Sequence, residues 1–141
     1  MKKIIIVGLI AVALASCKKD NTSTAPTATS IVGKWNYSKE RTQVLSPTGA
    51  VVSDQTTTSF TADDYVQYNA DGTGVASAAG GGIVDFSYSL SGNTDTEYQT
   101  PKFVGETPYV FIITLAAASL TRHSETTANG ETTIIDDDFT K

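Results

Sequence analysis

The chain has 141 residues with 15 acidic and 10 basic side chains, so its formal net charge at pH 7 is −5. An acidic chain lacks the basic surface that binding to nucleic acid requires. It contains one cysteine and one histidine, which excludes intrachain disulfides and metal sites built from several such residues. The length corresponds to one domain, whose stability must come from an apolar core.

The N-terminal segment has the three parts of a secretory signal. Two lysines precede an uncharged apolar block at residues 4–13, and Ala15, Ser16 and Cys17 follow it. The block is too short for a transmembrane helix, which needs about 20 apolar residues, and the charges at residues 18–20 end it. The pattern therefore predicts a signal peptide over residues 1–16.

The sequence Leu-Ala-Ser-Cys at residues 14–17 resembles the lipobox of bacterial lipoproteins. The resemblance implies cleavage between Ser16 and Cys17 and attachment of a diacylglycerol group, with palmitate-type chains, to Cys17. An ordinary secretory signal is the alternative, but it leaves the unpaired exported thiol unexplained. We therefore expect a protein of the Gram-negative cell envelope, lipid-anchored in the outer membrane. Its periplasmic and surface sides are both left open.

After the signal, residues 17–30 comprise the acylated cysteine and a tether. Residues 18–30 contain no large apolar side chain, so they cannot bury enough surface to offset the entropy of ordering them. A flexible segment of thirteen residues spans about 20 Å. Removal of the signal leaves eight basic and fifteen acidic residues, a net charge of −7.

Residues 31–141 are predicted to form an all-β domain. Helical periodicity is missing, and short segments rich in Val, Ile, Tyr, Phe and Thr alternate with turn-forming residues. The spacing of the turns predicts antiparallel strands that close into a barrel or fold as a sandwich. The predicted strands are residues 33–41, 50–60, 64–70, 73–79, 83–90, 94–99, 108–115, 118–126 and 131–139.

Several of these segments resemble lipocalin-like domains of bacterial lipoproteins. Residues 33–35 read Gly-Lys-Trp, residues 65–74 end in Asn-Ala-Asp-Gly-Thr-Gly, and residues 112–120 contain a late strand pair of the family pattern. The resemblance implies an antiparallel up-and-down, lipocalin-like (calycin-type) β-barrel of about eight to nine strands. Residues 98–108 depart from the family pattern, which leaves barrel closure and strand count open there.

The same resemblance implies roles for individual residues. Gly33 and Trp35 would form the core of the barrel floor, with Arg41 or Arg122 covering the tryptophan. The barrel interior would either hold a small apolar ligand or be filled by its own side chains. The aromatic residues that would line such a cavity, or instead fill it, are Tyr37, Phe60, Tyr68, Phe86, Tyr88, Tyr109 and Phe111.

We expect no enzymatic activity, no cofactor and no metal site. His123 is the single histidine, and no Gly-x-Ser-x-Gly motif accompanies it; an enzyme would need this residue in a pocket beside a carboxylate. The acidic run at residues 136–138 is interpreted as solvated charges at an open sheet edge, with Asp136 and Asp138 on the same face.

These features favour a lipid-anchored envelope protein with a barrel that binds a small apolar ligand. The alternative is a non-enzymatic structural or protein-interaction accessory of a surface or periplasmic complex, with a filled barrel and an exposed apolar patch. The expected partners are the membrane, through the Cys17 anchor, and the apolar ligand. The sequence names no protein partner.

Overall fold

The structure is a computed structural model that describes residues 30–78, 81–102 and 104–141. The predicted signal peptide, the cleavage site at Ser16 and Cys17, the lipid attachment and nearly all of the tether lie outside these residues. Within the described ranges, no helix is long and apolar enough to cross a membrane.

The described part of the chain forms nine β-strands, and each one overlaps a strand predicted from the sequence. The agreement arises because alternating apolar residues and Gly-containing turns are local signals. The strands are β1 (Gly33–Leu45), β2 (Val51–Thr57), β3 (Tyr65–Tyr68), β4 (Thr73–Ala78), β5 (Gly82–Ser91), β6 (Thr94–Gln99), β7 (Tyr109–Leu115), β8 (Ser119–Ala128) and β9 (Glu131–Thr140).

Eight of these strands close into an antiparallel barrel in the order β1-β3-β4-β5-β6-β7-β8-β9, with β9 pairing back to β1. The closure left open at residues 98–108 is complete, because β6 and β7 pair from Glu97 opposite Tyr109 to Thr94 opposite Ile112. The predicted fold class, an all-β antiparallel barrel, is therefore confirmed.

Strand β2 differs from a simple meander because it lies outside the closed cycle. β1 has 13 residues and β3 has four, so only residues 33–36 of β1 pair with β3. Residues 40–45 of β1 pair with β2 instead. The other edge of β1 pairs with β9 from Asn36 to Leu45, with a register shift between Tyr37 and Lys39.

The barrel core consists of side chains that the strand pleat turns inward. Each large apolar side chain that is fully buried contributes about 1.5–3 kcal/mol relative to an exposed one. Gly74 of β4 lets the core close tightly, since a Cβ there would lie 2.2 Å from Cζ of Phe86 and 2.7 Å from the carbonyl oxygen of Gln67. The buried apolar residues are Ile31, Trp35, Val66, Tyr68, Phe86, Ile113, Leu120 and Phe139.

The end of the barrel where β1 begins is called the entry end below. Trp35 is 0% exposed there, and its indole Nε1 donates a hydrogen bond to the carbonyl oxygen of Ile31 at 2.6 Å. The cation over its ring is Lys141, whose Nζ lies 4.3 Å from the ring centroid. The expectation that Arg41 or Arg122 covers the tryptophan is wrong. Lys141, which directly follows β9, lies over the ring instead.

The other two cations bind elsewhere. Arg41 forms an ion pair with Asp54 on the exposed face of β1 and β2, with 2.6 Å between Nη2 and Oδ2. The guanidinium of Arg122 lies inside the barrel over the rings of Phe111 and Phe139, at 4.3 and 4.9 Å. Arg122 therefore belongs to the interior of the barrel and not to its floor.

Candidate functional site

A groove of about 550 Å³ opens at the entry end of the barrel. It lies between the segment that leads into β1, the inner face of β5, the β5–β6 turn and the end of β7. The alternation of β5 turns Tyr88 and Leu90 to the same side as buried Phe86. The residues that line this entry-end groove are Ser30, Ile31, Val32, Tyr88, Leu90, Gly92, Asn93, Ile113 and Leu115.

Hydrogen bonds fix the walls of the groove in place. The Trp35 bond to Ile31 holds the segment that precedes β1. The Tyr88 hydroxyl donates to the carbonyl oxygen of Asn69 at 2.7 Å, and the amide of Ile113 donates to the carbonyl oxygen of Asn93 at 2.7 Å. These hydrogen bonds hold three segments of the wall without a ligand, which favours a preformed groove.

The aromatic residues expected to line a cavity mostly pack against each other in the barrel interior. Tyr68 contacts Phe86 and Tyr88 edge-on, with ring centroids 5.6 and 4.9 Å apart. Tyr37 stacks on Phe60 at 5.2 Å. Of the seven expected residues only Tyr88 lines the entry-end groove. The open volume is thus at the end of the barrel and not at its centre.

The two remaining aromatic residues of that set lie on β7. Phe111 is partly buried beneath Arg122, whereas Tyr109 is 53% exposed at the beginning of the strand. Phe86 also borders a smaller depression of about 270 Å³ beside the β3–β4 turn. Phe111 therefore helps to fill the barrel interior, whereas Tyr109 does not.

A second notable feature is a buried ionic cluster centred on Arg122, which is 5% exposed. Its Nη2 donates to Oδ2 of Asp137 at 2.9 Å and to the Tyr37 hydroxyl at 3.1 Å. Its Nη1 contacts Oε1 of Glu97 at 3.3 Å. Burial raises the pKa of Tyr37 to about 12. It also raises the pKa of Asp137, against the opposing effect of Arg122.

Tyr68 connects this cluster to Asp95, which is completely buried. The Tyr68 hydroxyl lies 2.9 Å from Oδ2 of Asp95 and 2.8 Å from Oε1 of Glu97. A hydroxyl has one hydrogen to donate, so Tyr68 can donate to only one of these two carboxyl groups, and a proton on the other would complete the hydrogen-bonded chain. Consistently, burial and then repulsion from Glu97 raise the pKa of Asp95 to about 7.

The cluster is short of positive charge and of hydrogen-bond partners. Among the described residues, three buried polar atoms have no partner: Oδ1 of Asp95, Nε of Arg122 and Oδ1 of Asp137. Arg122 forms ion pairs with Glu97 and Asp137, so one guanidinium faces more than one buried carboxyl group. Burial raises the pKa of Asp95 and of Asp137, because a low-dielectric interior disfavours the charged form of a carboxyl group.

The cluster predicts that stability falls as the pH rises from about 4 to about 7. The pKa of Asp95 is about 7 in the folded protein and about 4 in an unfolded chain. The protonated Asp95 side chain therefore contributes its full stabilisation of the folded protein below about pH 4. This contribution is lost progressively up to about pH 7, at about 1.4 kcal/mol for each unit by which the two pKa values differ. Thermal unfolding of the wild type and of Asp95→Asn across this range measures the effect.

The variant should show a flatter profile, whereas Asp85→Asn should follow the wild type because Asp85 is exposed. The raised pKa of Asp137 acts in the same direction, so some slope should remain in Asp95→Asn. Parallel profiles for Asp95→Asn and the wild type would show that Asp95 does not hold a proton in the folded protein.

The prediction that residues 136–138 are solvated charges at an open sheet edge is wrong in two respects: Asp137 is buried, and β9 is not an open edge. β9 pairs with β8 and β1, and Asp137 is 4% exposed. Asp136 and Asp138 do face outward together, because the side-chain period of a strand is two. Asp138 forms an ion pair with Lys39 at 2.8 Å.

His123 lies on the outer face of β8 and does not line the groove. Its Nδ1 is 2.6 Å from Oδ1 of Asp136, and its Nε2 is 3.3 Å from Oε1 of Glu125. The hydrogen bond with Asp136 raises the pKa of His123. A carboxylate is thus within reach of the ring, but both groups are on the outside of the barrel. Within the described ranges, no group of acidic, His or Cys residues is placed to hold a metal ion.

Sequence reasoning missed Asp95 and Glu97, although a signal was present. β6 reads Thr-Asp-Thr-Glu-Tyr-Gln, and a period of two places Asp95 and Glu97 on one face. Their cross-strand partners Phe111 and Tyr109 were predicted to face inward, so the two acids had to face inward as well.

Comparisons with known proteins add little to this description. No family profile matches the chain, and no curated protein matches it. Among solved structures, the chain is similar to a lipocalin-like protein from Bacteroides uniformis ATCC 8492, with 17% sequence identity and a TM-score of 0.38. The match covers 74% of this chain and 94% of that chain. The barrel assignment rests on the strand pairing described above.

Proposed function

We propose that this protein is a lipid-anchored envelope protein that binds a small apolar ligand in the entry-end groove. The groove itself is the observation that carries the proposal. Its volume of about 550 Å³ lies within the range of about 300–1,000 Å³ that small-molecule sites occupy. Apolar side chains form most of its lining, as they do in such sites.

The position of the groove supports the link to a membrane. Ser30 lines the groove and is the last residue of the predicted tether, which would connect it to a lipid on Cys17. A tether of about 20 Å would keep the entry end of the barrel close to the bilayer. An apolar ligand would then pass between membrane and groove over a short distance.

A second candidate function is that of a structural or interaction accessory. The packed rings of Tyr37, Phe60, Tyr68 and Phe86 favour it, because a barrel filled at its centre needs no ligand. Val110 and Ile112 on the outer face of β7 are 46% and 44% exposed, which provides the apolar contact such a protein would use. The groove favours the binding role, since an accessory protein does not require it.

The proposed role is not enzymatic and uses no cofactor. The described lining of the groove contains no acidic, basic or histidine side chain, so it offers general acid–base catalysis no group to transfer a proton. His123 and Asp136, the pair nearest to a catalytic arrangement, lie on the outer face of the barrel. Binding is the chemistry that this groove offers.

The test is native mass spectrometry of residues 18–141, which contain all nine strands, purified from the envelope of the host. We expect a small extra mass that is lost on denaturation. Leu90→Gln should abolish it, because Leu90 lines the groove. Ile112→Gln is the matched control, since both side chains are 44% exposed and Ile112 faces outward.

A bare mass for the wild type would favour the accessory role. An extra mass that both variants retain would place the ligand outside the groove. Either result would contradict the proposal that the entry-end groove is the binding site.

A further inference from the structure

The lining of the entry-end groove selects a flexible alkyl chain over a flat ring system. Within the described ranges, Tyr88 is the one aromatic residue in the lining, and its hydroxyl is already bonded to the carbonyl oxygen of Asn69. A planar ligand would therefore find a single surface on which to stack, whereas an alkyl chain makes contacts of equal quality with every branched side chain. The aliphatic residues of the lining are Ile31, Val32, Leu90, Ile113 and Leu115.

The polar groups of the groove lie in its exposed parts and are neutral. The Ser30 hydroxyl oxygen accepts a hydrogen bond from the amide of Val32 at 3.2 Å, which leaves its hydrogen available to a ligand. The Asn93 side chain is exposed, and its amide makes no hydrogen bond within the described part of the chain. Both groups can donate to the carbonyl oxygen of an ester or an amide.

Among the residues that the structure describes, no cation lines the groove to bind a carboxylate. The two lysines at the entry end are engaged with aromatic rings. Lys34 lies 3.9 Å from the ring centroid of Tyr65, and Lys141 lies over Trp35. A negatively charged head group would lose part of its hydration at the mouth of the groove and gain no ion pair from the described lining in return.

We propose that the entry-end groove binds a single long alkyl chain that ends in a neutral ester or amide, as in the acyl chain of a membrane lipid. The inference rests on the proposed function and names its ligand class. The bilayer near the predicted anchor is the source, because Ser30 joins the groove to a tether of about 20 Å. The tether cannot fill the groove itself, since residues 18–30 contain no large apolar side chain.

The experiment compares methyl cis-parinarate with cis-parinaric acid, two fluorescent probes with the same chain, of which the first ends in a neutral methyl ester and the second in a carboxylate. Residues 18–141 are titrated with each probe at a pH where the acid is ionised. We expect the ester to bind about tenfold or more tightly than the carboxylate, because the groove desolvates a charge without pairing it. We expect methyl palmitate to displace the ester probe more effectively than the shorter methyl myristate does, by about fourfold for each additional methylene.

The matched variants locate the binding. Leu90→Gln should weaken binding of the ester about tenfold, and Ile112→Gln should bind it as the wild type does. A carboxylate that binds as tightly as the ester would overturn the ligand class while leaving the proposed groove intact. The same applies if the envelope-derived ligand of the native mass spectrum contains no acyl chain.

Two other results would contradict more than the head-group preference. Equal weakening by both variants, or none by either, would remove the groove as the binding site and contradict the proposed function as well. A doubled protein mass that disappears in Leu90→Gln would show that a second copy of the chain occupies the groove, and the acyl proposal would then be wrong.

Discussion

Arg122→Met should unfold the barrel or lower its free energy of unfolding by about 3–5 kcal/mol, the range expected when one partner of a buried ion pair is removed. The guanidinium contacts Glu97, Asp137 and Tyr37 inside the barrel. Without it, two carboxylates remain buried with no cation, and the Tyr37 hydroxyl loses its donor. Urea denaturation followed by circular dichroism measures the effect.

The control is Arg41→Met, which removes the other arginine of an ion pair. Arg41 and Asp54 have side chains that are each 40% exposed, and exposed pairs contribute little to stability. The urea midpoint of this variant should stay close to that of the wild type. Equal loss in the two variants would show that the interior cluster has no special energetic role.

A second variant keeps the prediction testable if Arg122→Met does not fold. The triple change Arg122→Met, Glu97→Gln and Asp137→Asn removes both the cation and the two carboxylates that bind it. Replacing a buried ionic group as a whole is often neutral or stabilising, so this variant should be more stable than Arg122→Met. If it is no better, the cost comes from lost packing against Phe111 and Phe139 and not from unpaired charge.

The strands and the core tryptophan were predictable because their signals are local. Alternation in β5 and the Asn-Gly and Asp-Gly turns follow from pleat geometry and positive φ. The place of β2 was not predictable, since it depends on how the long strand β1 divides one edge between β2 and β3. That division arises from strand lengths, which sequence patterns define only to within a few residues.

The interior charges show a different limit of sequence reasoning. Asp137 lies between Asp136 and Asp138, so composition alone suggested three solvated carboxylates. Which of them faces inward depends on the register of β9 against β8, where Asp137 is opposite Arg122. Composition indicates that charges are present, but pairing decides which of them become buried.

The groove depends on still more distant relations in the chain. Its lining comes from residues 30–32, from β5 and from β7, and it exists because the rings of Tyr68 and Phe86 fill the barrel centre without reaching the entry end. The resemblance to lipocalin-like barrels implied a barrel interior that either holds a ligand or is filled by side chains. The packed side chains show that the groove lies at the entry end of the barrel instead.

Trp35→Ala should lower the free energy of unfolding by about 3–5 kcal/mol, as expected for truncating a fully buried large aromatic residue. Trp35 is 0% exposed and also donates the hydrogen bond that holds Ile31 at the groove. Chemical denaturation measures the loss. Tyr109→Ala is the control, since this ring is 53% exposed and its removal should change stability far less.

Trp35→Phe separates the two roles of the tryptophan. Phenylalanine keeps most of the apolar volume but cannot donate to the Ile31 carbonyl, which would remain buried without a partner at a cost of about 1–3 kcal/mol. We therefore expect this variant to fold and yet to bind the neutral ester probe less tightly than the wild type, because residues 30–32 form one wall of the groove. Unchanged probe affinity in a folded Trp35→Phe protein would show that the groove keeps its shape without this bond, and that the core and the binding site are energetically independent.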